Sequence, residues 1–333
     1  MIKILDCSSL NYLSKLKIIL QKRRLGSKIN TNIVSKIVKD VKKNKQKALL
    51  KYEKKFSNNT KIKPTKNEIN NSIKSLDPKI KNAIDFAYSR ILKFHSLQKT
   101  KNIKYLDNQN NKIEYRYIPI QSVGIYVPAN LPSTLLMNAI PAKKIAKVKR
   151  VVLANPRLNG KLNPAVMYAA KKCGISEIIS AGGSQAIASL AYIQKVNKII
   201  GPGNDYVARA KQEVFGDVGI EGMIAGPSEI TVVADKNTNL KEVLTSLIGQ
   251  AEHDPNSQCI LVSNNRNFIK SFQKSLKNEL NKIPRKDIAK KSLLRNGLII
   301  RVYNNKQIID SINEIAPEHL ELNLKNYKKL INK

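Results

Sequence analysis

Tryptophan is absent from this 333-residue chain, and aromatic residues make up only 5% of it. Apolar runs long enough to cross a membrane are also missing, so we expect no transmembrane helix. The N-terminus has neither an extended apolar core nor a small-residue cleavage site, and it therefore does not resemble a signal peptide. The length is sufficient for two domains, each with its own core.

Cysteine is scarce too, and Cys7, Cys173 and Cys259 lie far apart without forming a CxxC pair. Disulfide bonds and a zinc–thiolate site are therefore not expected. A reducing cytoplasm suits this cysteine usage best, so we predict a cytoplasmic location. Each thiol is interpreted as a small buried hydrophobic group rather than as a nucleophile.

Acidic residues are few: 24 Asp and Glu stand against 60 Lys and Arg, which gives a net charge of +36. Such an excess is typical of nucleic-acid-binding proteins. However, Lys, Asn and Ile are all abundant, and Lys far exceeds Arg, as a compositional bias from an A- and T-rich genome would produce. No stretch interleaves aromatic with basic residues as stacking platforms do. We therefore expect no specific nucleic-acid partner, and a basic nucleic-acid-binding protein is kept as an alternative.

The first hundred residues have a helical pattern. Ile33, Ile37 and Val41 recur at helical spacing, and Ile84 begins a second such series. The remaining positions are mostly Lys, Asn and Ser, which predicts amphipathic helices with solvated outer faces. His95 lies on one of these helices without other chemically active neighbours, and we interpret it as structural.

From residue 115 the pattern changes to short β-branched runs that alternate with helical segments. This alternation is typical of α/β proteins with mainly parallel sheets. The predicted strands are 122–127, 150–154, 177–180, 198–200, 229–234, 258–262, 296–302 and 319–322. The predicted helices between and after them include 164–172, 185–192, 205–215, 240–251 and 324–332.

Three glycine-rich turns occur in this part of the chain: AGG at 181–183, GPG at 201–203 and AGP at 225–227. Glycine permits a tight turn and lets a ligand approach the backbone closely. In open α/β sheets the ligand lies at the carboxyl ends of the strands, so these turns are candidate binding segments. The usual G-x-G-x-x-G fingerprint is missing, and spacing alone therefore does not indicate NAD.

Gln250 and His253 lie three residues apart at the end of a predicted helix, which Pro255 ends near His253. A carbonyl oxygen and an imidazole at a helix end can form half of a metal site. The alternative is a histidine that merely complements the helix dipole, and spacing alone favours this alternative.

Glu318 and His319 are adjacent at the start of a predicted strand, so their side chains point to opposite faces and have separate tasks. Histidine is suited to proton transfer near neutral pH, and a neighbouring glutamate could activate water. A purely structural strand entry explains these two residues equally well on the pattern alone.

Seven blocks stand in order along the chain: GIYVP (124–128), PSTLLMNAIPA (132–142), GGSQAI (182–187), GPGN (201–204), AGPSE (225–229), QAEH (250–253) and PEHL (317–320). In this order they resemble the histidinol dehydrogenase family, and the resemblance extends over residues 115–322. The N-terminal part resembles the family more loosely. The resemblance implies two incomplete Rossmann-like α/β domains, one inserted in the other, with an N-terminal helical region. We expect the helical region and the first part of domain 1 at 1–125, the inserted NAD-side domain at 126–228, and the rest of domain 1 at 229–333.

The resemblance also implies roles for individual residues. NAD would be contacted by Tyr126, Gln185 and Asn204. Zinc would be held by Gln250 and His253, and the acid/base pair would be Glu318 and His319. The substrate would be contacted by Ser228, Gln250, His253 and His319. The implied reaction is the NAD-dependent oxidation of L-histidinol to L-histidine through the aldehyde, in histidine biosynthesis, by a homodimer.

The sequence departs from the family pattern in two places. The family continues past this point into a C-terminal segment whose Asp and His complete the zinc site, and neither motif occurs here. Two ligands fall short of the three or more that zinc normally takes, so an inactive or partial form of the enzyme is the alternative. The Ala129–Leu131 turn is also shorter than the family's glycine-rich turn.

Overall fold

The computed structural model describes residues 2–24, 31–221 and 228–331. These described residues group into two compact units. One unit comprises residues 2–24 together with 228–331, and the other comprises residues 31–221. The second unit is thus inserted in the sequence of the first.

The described residues contain twelve strands and twelve α-helices. The strands are β1 (Lys3–Asp6), β2 (Ile103–Leu106), β3 (Lys112–Tyr115), β4 (Ser122–Tyr126), β5 (Arg150–Ala154), β6 (Glu177–Ile179), β7 (Lys198–Ile200), β8 (Gly219–Ile220), β9 (Glu229–Ala234), β10 (Gln258–Ser263), β11 (Leu298–Arg301) and β12 (Leu320–Asn323). The helices are α1 (Tyr12–Arg24), α2 (Thr31–Ser57), α3 (Lys66–Lys74), α4 (Pro78–Ser96), α5 (Pro132–Ala139), α6 (Pro164–Cys173), α7 (Gly183–Tyr192), α8 (Asp205–Val214), α9 (Leu240–Ala251), α10 (Arg266–Leu280), α11 (Lys286–Asn296) and α12 (Asn305–Ile315). A π-helical segment, Ile140–Ile145, continues α5, and α2 is interrupted at Lys45, whose φ is 46°.

Within residues 31–221, five parallel strands form a sheet in the order β6-β5-β4-β7-β8. The chain runs outward from β4 to β6 and then returns to build β7 on the other side of β4. The strand order therefore reverses between β4 and β7. This is the switch point at which open α/β sheets place their ligands, outside the carboxyl ends of the strands.

The core of this unit lies on both faces of the sheet because successive strand residues point in opposite directions. Val152 and Ala154 of β5 pack with α2, α7 and α8, whereas Val151 and Leu153 pack with α4, α5 and α6. Each fully buried aliphatic side chain contributes about 1.5–3 kcal/mol to folding. Of the face predicted for the helix at Ile33, Ile37 and Val41, the last two are buried against this sheet and its helices, whereas Ile33 is 45% exposed.

The placement of α2, α3 and α4 differs from the predicted boundary at Tyr126. We expected these helices to belong with residues 229–333, but their apolar faces pack within residues 31–221. Only β1 and α1 of the N-terminal region lie in the other unit. Helical periodicity shows that a face will be buried, but it does not identify the surface that buries it.

The other unit has a parallel sheet with strands in the order β1-β11-β10-β9-β12 within its described residues. Helices cover both faces: Val232 of β9 packs with α9, α10 and α11, and its neighbour Val233 packs with α1 and α12. The predicted α/β class, with two doubly wound parallel sheets, is confirmed. None of the helices in the described ranges combines the length and apolar composition that crossing a bilayer requires.

Most predicted elements from residue 122 onward are confirmed to within one or two residues, and the helix at 240–251 agrees at both ends. The predicted helix at 324–332 is wrong, because a short 3₁₀ turn, Tyr327–Lys329, stands there. Leu324, Tyr327 and Leu330 recur every third residue, which matches the period of a 3₁₀ helix rather than an α-helix.

The cysteines are buried as predicted, with exposed fractions of 1% for Cys7, 0% for Cys173 and 2% for Cys259. Burial raises the pKa of Cys7 and of Cys173 to about 11. These two thiols therefore stay protonated near neutral pH and are poor nucleophiles.

Candidate active site

Tyr126 is the last residue of β4, at the switch point of the sheet in residues 31–221. Its side chain is buried, and its hydroxyl accepts a hydrogen bond from the Gly183 N–H at 3.3 Å. Burial raises the pKa of the Tyr126 phenol, although the hydrogen bond from Gly183 opposes this. The phenol is therefore neutral near pH 7 and keeps an O–H that can donate.

The end of β7 lies against the same strand. Gly201 has a φ of 103°, and a Cβ there would lie 2.1 Å from the carbonyl oxygen of Tyr126. Only glycine can therefore occupy this position, because any side chain would collide with β4. Asn204 follows this turn and begins α8, with its side-chain oxygen accepting the Val207 N–H at 3.2 Å. Its side chain is exposed at the carboxyl edge of the sheet.

Gln185 lies in the first turn of α7, two residues after Gly183. It is buried, and its Nε2 donates to Oε1 of Glu53 at 2.8 Å. The same oxygen accepts the Gly182 N–H at 2.9 Å. Tyr126 and Gln185 are thus gathered around one glycine turn, whereas Asn204 belongs to the turn after β7.

Glu53 was missed in the sequence, although its position carried a signal. It follows Leu49 by four residues on α2, so helical spacing places a carboxylate on the buried face. Glu53 has an exposed fraction of 0%. Burial raises the pKa of Glu53, and the hydrogen bonds from Gly182 and Gln185 oppose that rise.

Lys211 is a second residue that the sequence analysis missed. It is 4% exposed, and its Nζ donates to the Gly201 carbonyl at 2.5 Å. Burial lowers the pKa of Lys211, and Glu221 opposes this. The buried stripe of α8 contains Val207, Ala210 and Val214 beside this lysine, which is the pattern that would have identified it. Lys211 holds the turn that leads to Asn204.

Glu318 and His319 lie in a bend directly before β12. The strand predicted to start at residue 319 therefore begins one residue later, at Leu320. The Glu318 N–H donates to Oε1 of Glu229 at 3.0 Å, and the His319 carbonyl accepts the Thr231 N–H at 2.9 Å. Both side chains are exposed. The imidazole Nε2 lies 3.5 Å from Oε1 of Glu321.

Ser228 lies directly before β9, and its carbonyl accepts the Gln258 N–H at 3.0 Å. Because β9 lies between β10 and β12, Ser228, Glu318 and His319 are at the amino edge of one sheet. This differs from the expectation that ligand-binding residues follow the carboxyl ends of strands. Residues 225–227 of the AGP turn lie outside the described residues.

Gln250 is in the last turn of α9, and His253 follows in the turn that connects to β10. The His253 N–H donates to the Gln250 carbonyl at 3.2 Å, and Arg285 donates to the His253 carbonyl at 3.3 Å. The His253 side chain is exposed, while Nε2 of Gln250 is buried without a hydrogen-bond partner among the described residues. Both residues approach β10 from its amino end.

The unit that contains Gln250 and His253 offers an incomplete set of metal donors. An amide oxygen and an imidazole nitrogen are both suitable zinc donors. However, no group of three His, Cys, Asp or Glu side chains in the described ranges is placed to hold a metal ion. Gln250 and His253 therefore have the right chemistry for zinc but supply two donors where three or more are usual.

Comparison with known proteins identifies the family. The sequence profile of histidinol dehydrogenase matches residues 20–333. This chain belongs to the histidinol dehydrogenase family. The histidinol dehydrogenase of Pelagibacter ubique (strain HTCC1062) is 57% identical over 340 aligned residues, covering 100% of this chain and 79% of the relative. That of Listeria monocytogenes is 41% identical over 310 residues, covering 90% of this chain and 72% of the relative.

A solved histidinol dehydrogenase also matches the fold. The crystal structure from Elizabethkingia anophelis has a TM-score of 0.92 and 35% identity, covering 99% of this chain and 78% of that one. The resemblance drawn from the seven sequence blocks is therefore confirmed, and histidinol dehydrogenases are oxidoreductases.

Proposed function

We propose that this chain is an NAD- and zinc-dependent histidinol dehydrogenase that oxidises L-histidinol to L-histidine in histidine biosynthesis. The observation that carries the proposal is the 57% identity to the Pelagibacter histidinol dehydrogenase along the whole chain. The reaction removes two electrons twice. The alcohol loses a hydride and a proton to give the aldehyde, and the hydrated aldehyde loses a second hydride and proton to give the acid.

Tyr126, Gln185 and Asn204 are proposed to bind the nucleotide. Their positions beside the switch point support this role, because a crevice opens where the strand order reverses. The Tyr126 hydroxyl can donate a hydrogen bond, and Asn204 is exposed at the adjacent turn. NAD, when bound, would accept the hydride in each step.

Ser228, Gln250, His253 and His319 are proposed to bind the substrate. Zinc, when bound to Gln250 and His253, would supply a Lewis-acidic anchor for the substrate's nitrogen atoms. With two protein donors, we expect zinc to be held more weakly than in a complete site. An inactive or partial form of the enzyme is the second candidate, and the incomplete donor set is the observation that favours it.

His319 is proposed as the base that takes the hydroxyl proton, and Glu318 as the group that activates water against the aldehyde. Both side chains are exposed, so they can reach a bound substrate. Their backbone is fixed by Glu229 and Thr231, which holds the bend in place before the chemistry begins. His319 lies beside Glu321, an acceptor that can orient the imidazole.

A homodimer is proposed as the working form, and the β2–β3 hairpin supports it. This hairpin exposes a run of large apolar side chains, with Ile103, Tyr105, Ile113 and Tyr115 each between 57% and 58% exposed. Contiguous exposed apolar surface of this kind marks an interaction site more often than free surface. The buried, protonated thiols of Cys7 and Cys173 support the proposed cytoplasmic location.

The test measures NADH formation by its absorbance in the presence of L-histidinol, NAD and zinc. Three purified proteins are compared: the wild type, His319→Asn and His95→Asn. His95 is a half-buried histidine on α4, away from the residues proposed for the site, so the second variant controls for the loss of an imidazole. We expect NADH from the wild type and the control and a loss of about a hundredfold or more in His319→Asn. A folded wild type that forms no NADH would favour the inactive or partial form.

A further inference from the structure

The carboxylate of Glu53 occupies the N-terminus of α7. Its Oε1 accepts hydrogen bonds from the Gly182 N–H at 2.9 Å and from Nε2 of Gln185 at 2.8 Å. The carboxylate is completely buried, and its Oε2 makes no hydrogen bond to any part of the chain that the structure describes. Burying a carboxylate in this way destabilises the fold, because burial disfavours its charged form. Its presence here therefore suggests a role other than stability.

A helix N-terminus is a natural anion site, since its first N–H groups lack partners and the helix dipole favours negative charge. Dinucleotide-binding proteins use such sites for the pyrophosphate of the ligand. In this chain Glu53 accepts the N–H of Gly182, the N-cap of α7, and the Tyr126 hydroxyl accepts the N–H of Gly183. A phosphate group of a ligand is therefore not expected to bind there.

The same contact fixes the orientation of the Gln185 amide. A carboxylate accepts hydrogen bonds, so the NH₂ group of Gln185 must face Glu53 and the oxygen must face away. This Oε1 packs over Gly183, 3.3 Å from where a Cβ of that glycine would be. Among the hydrogen bonds within residues 31–221, none is accepted by this oxygen. The group left for a ligand is thus an acceptor.

We propose that Glu53 is a positioning residue of the nucleotide site: it accepts the N–H of the α7 N-cap and turns Gln185 so that its Oε1 accepts a hydrogen bond from a nucleotide hydroxyl or amine. This inference rests on the proposed use of NAD. It predicts that Glu53 affects nucleotide binding through Gln185 rather than through the stability of the fold.

The test is a double-mutant cycle on NADH affinity, measured by nucleotide fluorescence. Glu53→Met has a similar volume and removes both acceptors. Because it leaves the buried Gly182 N–H and Gln185 amide without their acceptor, which costs stability, circular dichroism first establishes that the variant is folded. We expect the Kd for NADH to rise about tenfold in Glu53→Met and about threefold in Glu53→Gln, which keeps one acceptor oxygen. In a Gln185→Met background, Glu53→Met should change the Kd less than about twofold, because the group it orients is gone. Glu177→Met, on the exposed start of β6, is the matched control and should bind NADH as the wild type does.

Equal losses from Glu53→Met in both backgrounds would overturn the inference, because a purely structural role acts independently of Gln185. A wild type that does not bind NADH would instead refute the proposed cofactor. Hydrogen exchange of the Gly182 amide needs no nucleotide and then tests whether Glu53 binds this N–H. We expect the exchange to be at least about tenfold faster in Glu53→Met than in the wild type. Unchanged exchange would overturn the placement of Glu53 at the α7 N-terminus.

Discussion

The carboxylate of Glu229 accepts the backbone N–H of Glu318 at 3.0 Å, which ties the first residue of β9 to the bend before β12. Its second oxygen accepts Nε2 of Gln258 at 2.8 Å, at the start of β10. One side chain thus joins the amino ends of adjacent strands. The bend that carries Glu318 and His319 is held by this carboxylate and by the ladder bond from Thr231.

Removing the Glu229 carboxylate should therefore disturb catalysis more than folding. We expect Glu229→Ala to lower the free energy of unfolding by about 1–2 kcal/mol, as lost hydrogen bonds of this kind do. The kcat should fall about tenfold or more because the acid/base pair loses its fixed backbone, while KM for NAD stays unchanged. Steady-state kinetics beside urea unfolding would measure both, with Glu242→Ala on α9 as the control. A kcat per folded molecule equal to that of the wild type would contradict this role.

Glu318→Gln should separate the two oxidation steps. The amide cannot take a proton from water, so we expect oxidation of the aldehyde to slow about a hundredfold while oxidation of the alcohol continues. The NADH formed per histidinol consumed would then fall from about two toward one, by the balance of the two hydride transfers. Quantifying NADH and the aldehyde, trapped with a hydrazine, would check this. A ratio that stays at the wild-type value would exclude Glu318 as the group that activates water.

Zinc affinity should depend on His253 and not on His95. We expect His253→Ala to weaken zinc binding by more than about tenfold, because even residues behind a metal ligand cost that much when removed. Competition with a chromophoric chelator gives the affinity, and His95→Ala on α4 is the control for the loss of an imidazole. Equal zinc binding by all three proteins would exclude His253 as a metal ligand.

The stability of the chain at low pH should depend on Asp40. Hydrogen bonds from Asn44, Lys51 and Tyr52 lower the pKa of Asp40 to about 2. The native state therefore holds this carboxylate ionised at a pH where the unfolded chain has protonated it. The resulting stabilisation is present above a pH of about 4 and is lost as the pH falls toward about 2. We expect Asp40→Asn to show a shallower decline in the free energy of unfolding over this window.

The matched control for Asp40 is Asp77→Asn, because asparagine also caps a helix N-terminus and should keep the start of α4 intact. Urea unfolding at several pH values, followed by circular dichroism, would give the slopes. Identical slopes in Asp40→Asn and the wild type would show that these hydrogen bonds do not act on folding.

The β2–β3 hairpin should determine the oligomeric state. Tyr105 and Ile113 are directly opposite each other, so Tyr105→Glu combined with Ile113→Lys places an ion pair across the strands and preserves the hairpin. We expect a wild-type dimer and a monomeric double variant in analytical ultracentrifugation. Leu294→Glu, an exposed apolar position on α11, is the control and should remain dimeric. A double variant that sediments as a dimer would place the interface elsewhere.

The sequence predicted the elements of the fold better than their assembly. The strand 229–234 and the helix 240–251 are complete local patterns, so their ends could be read directly. The packing of α2 on the 31–221 sheet could not be predicted from the sequence, because periodicity does not reveal which surface an apolar face meets. In the candidate site, too, the residues could be predicted but their contacts could not. Gln185 and His319 stand in recognisable blocks, whereas the contact of Glu53 with Gln185 joins residues 132 positions apart.

The insertion of one unit into the other also sets an order of folding. Leu5 of β1 pairs with Ile300 of β11, so this edge of its sheet forms only after the chain as far as β11 has left the ribosome. Residues 31–221 form a compact unit with its own core, which can therefore fold first. During synthesis β1 stays unpaired until β11 has been made. Closing the long loop between β1 and β11 slows the formation of this pair. The N-terminal strand is thus secured only once β11 has been made, almost 300 residues later.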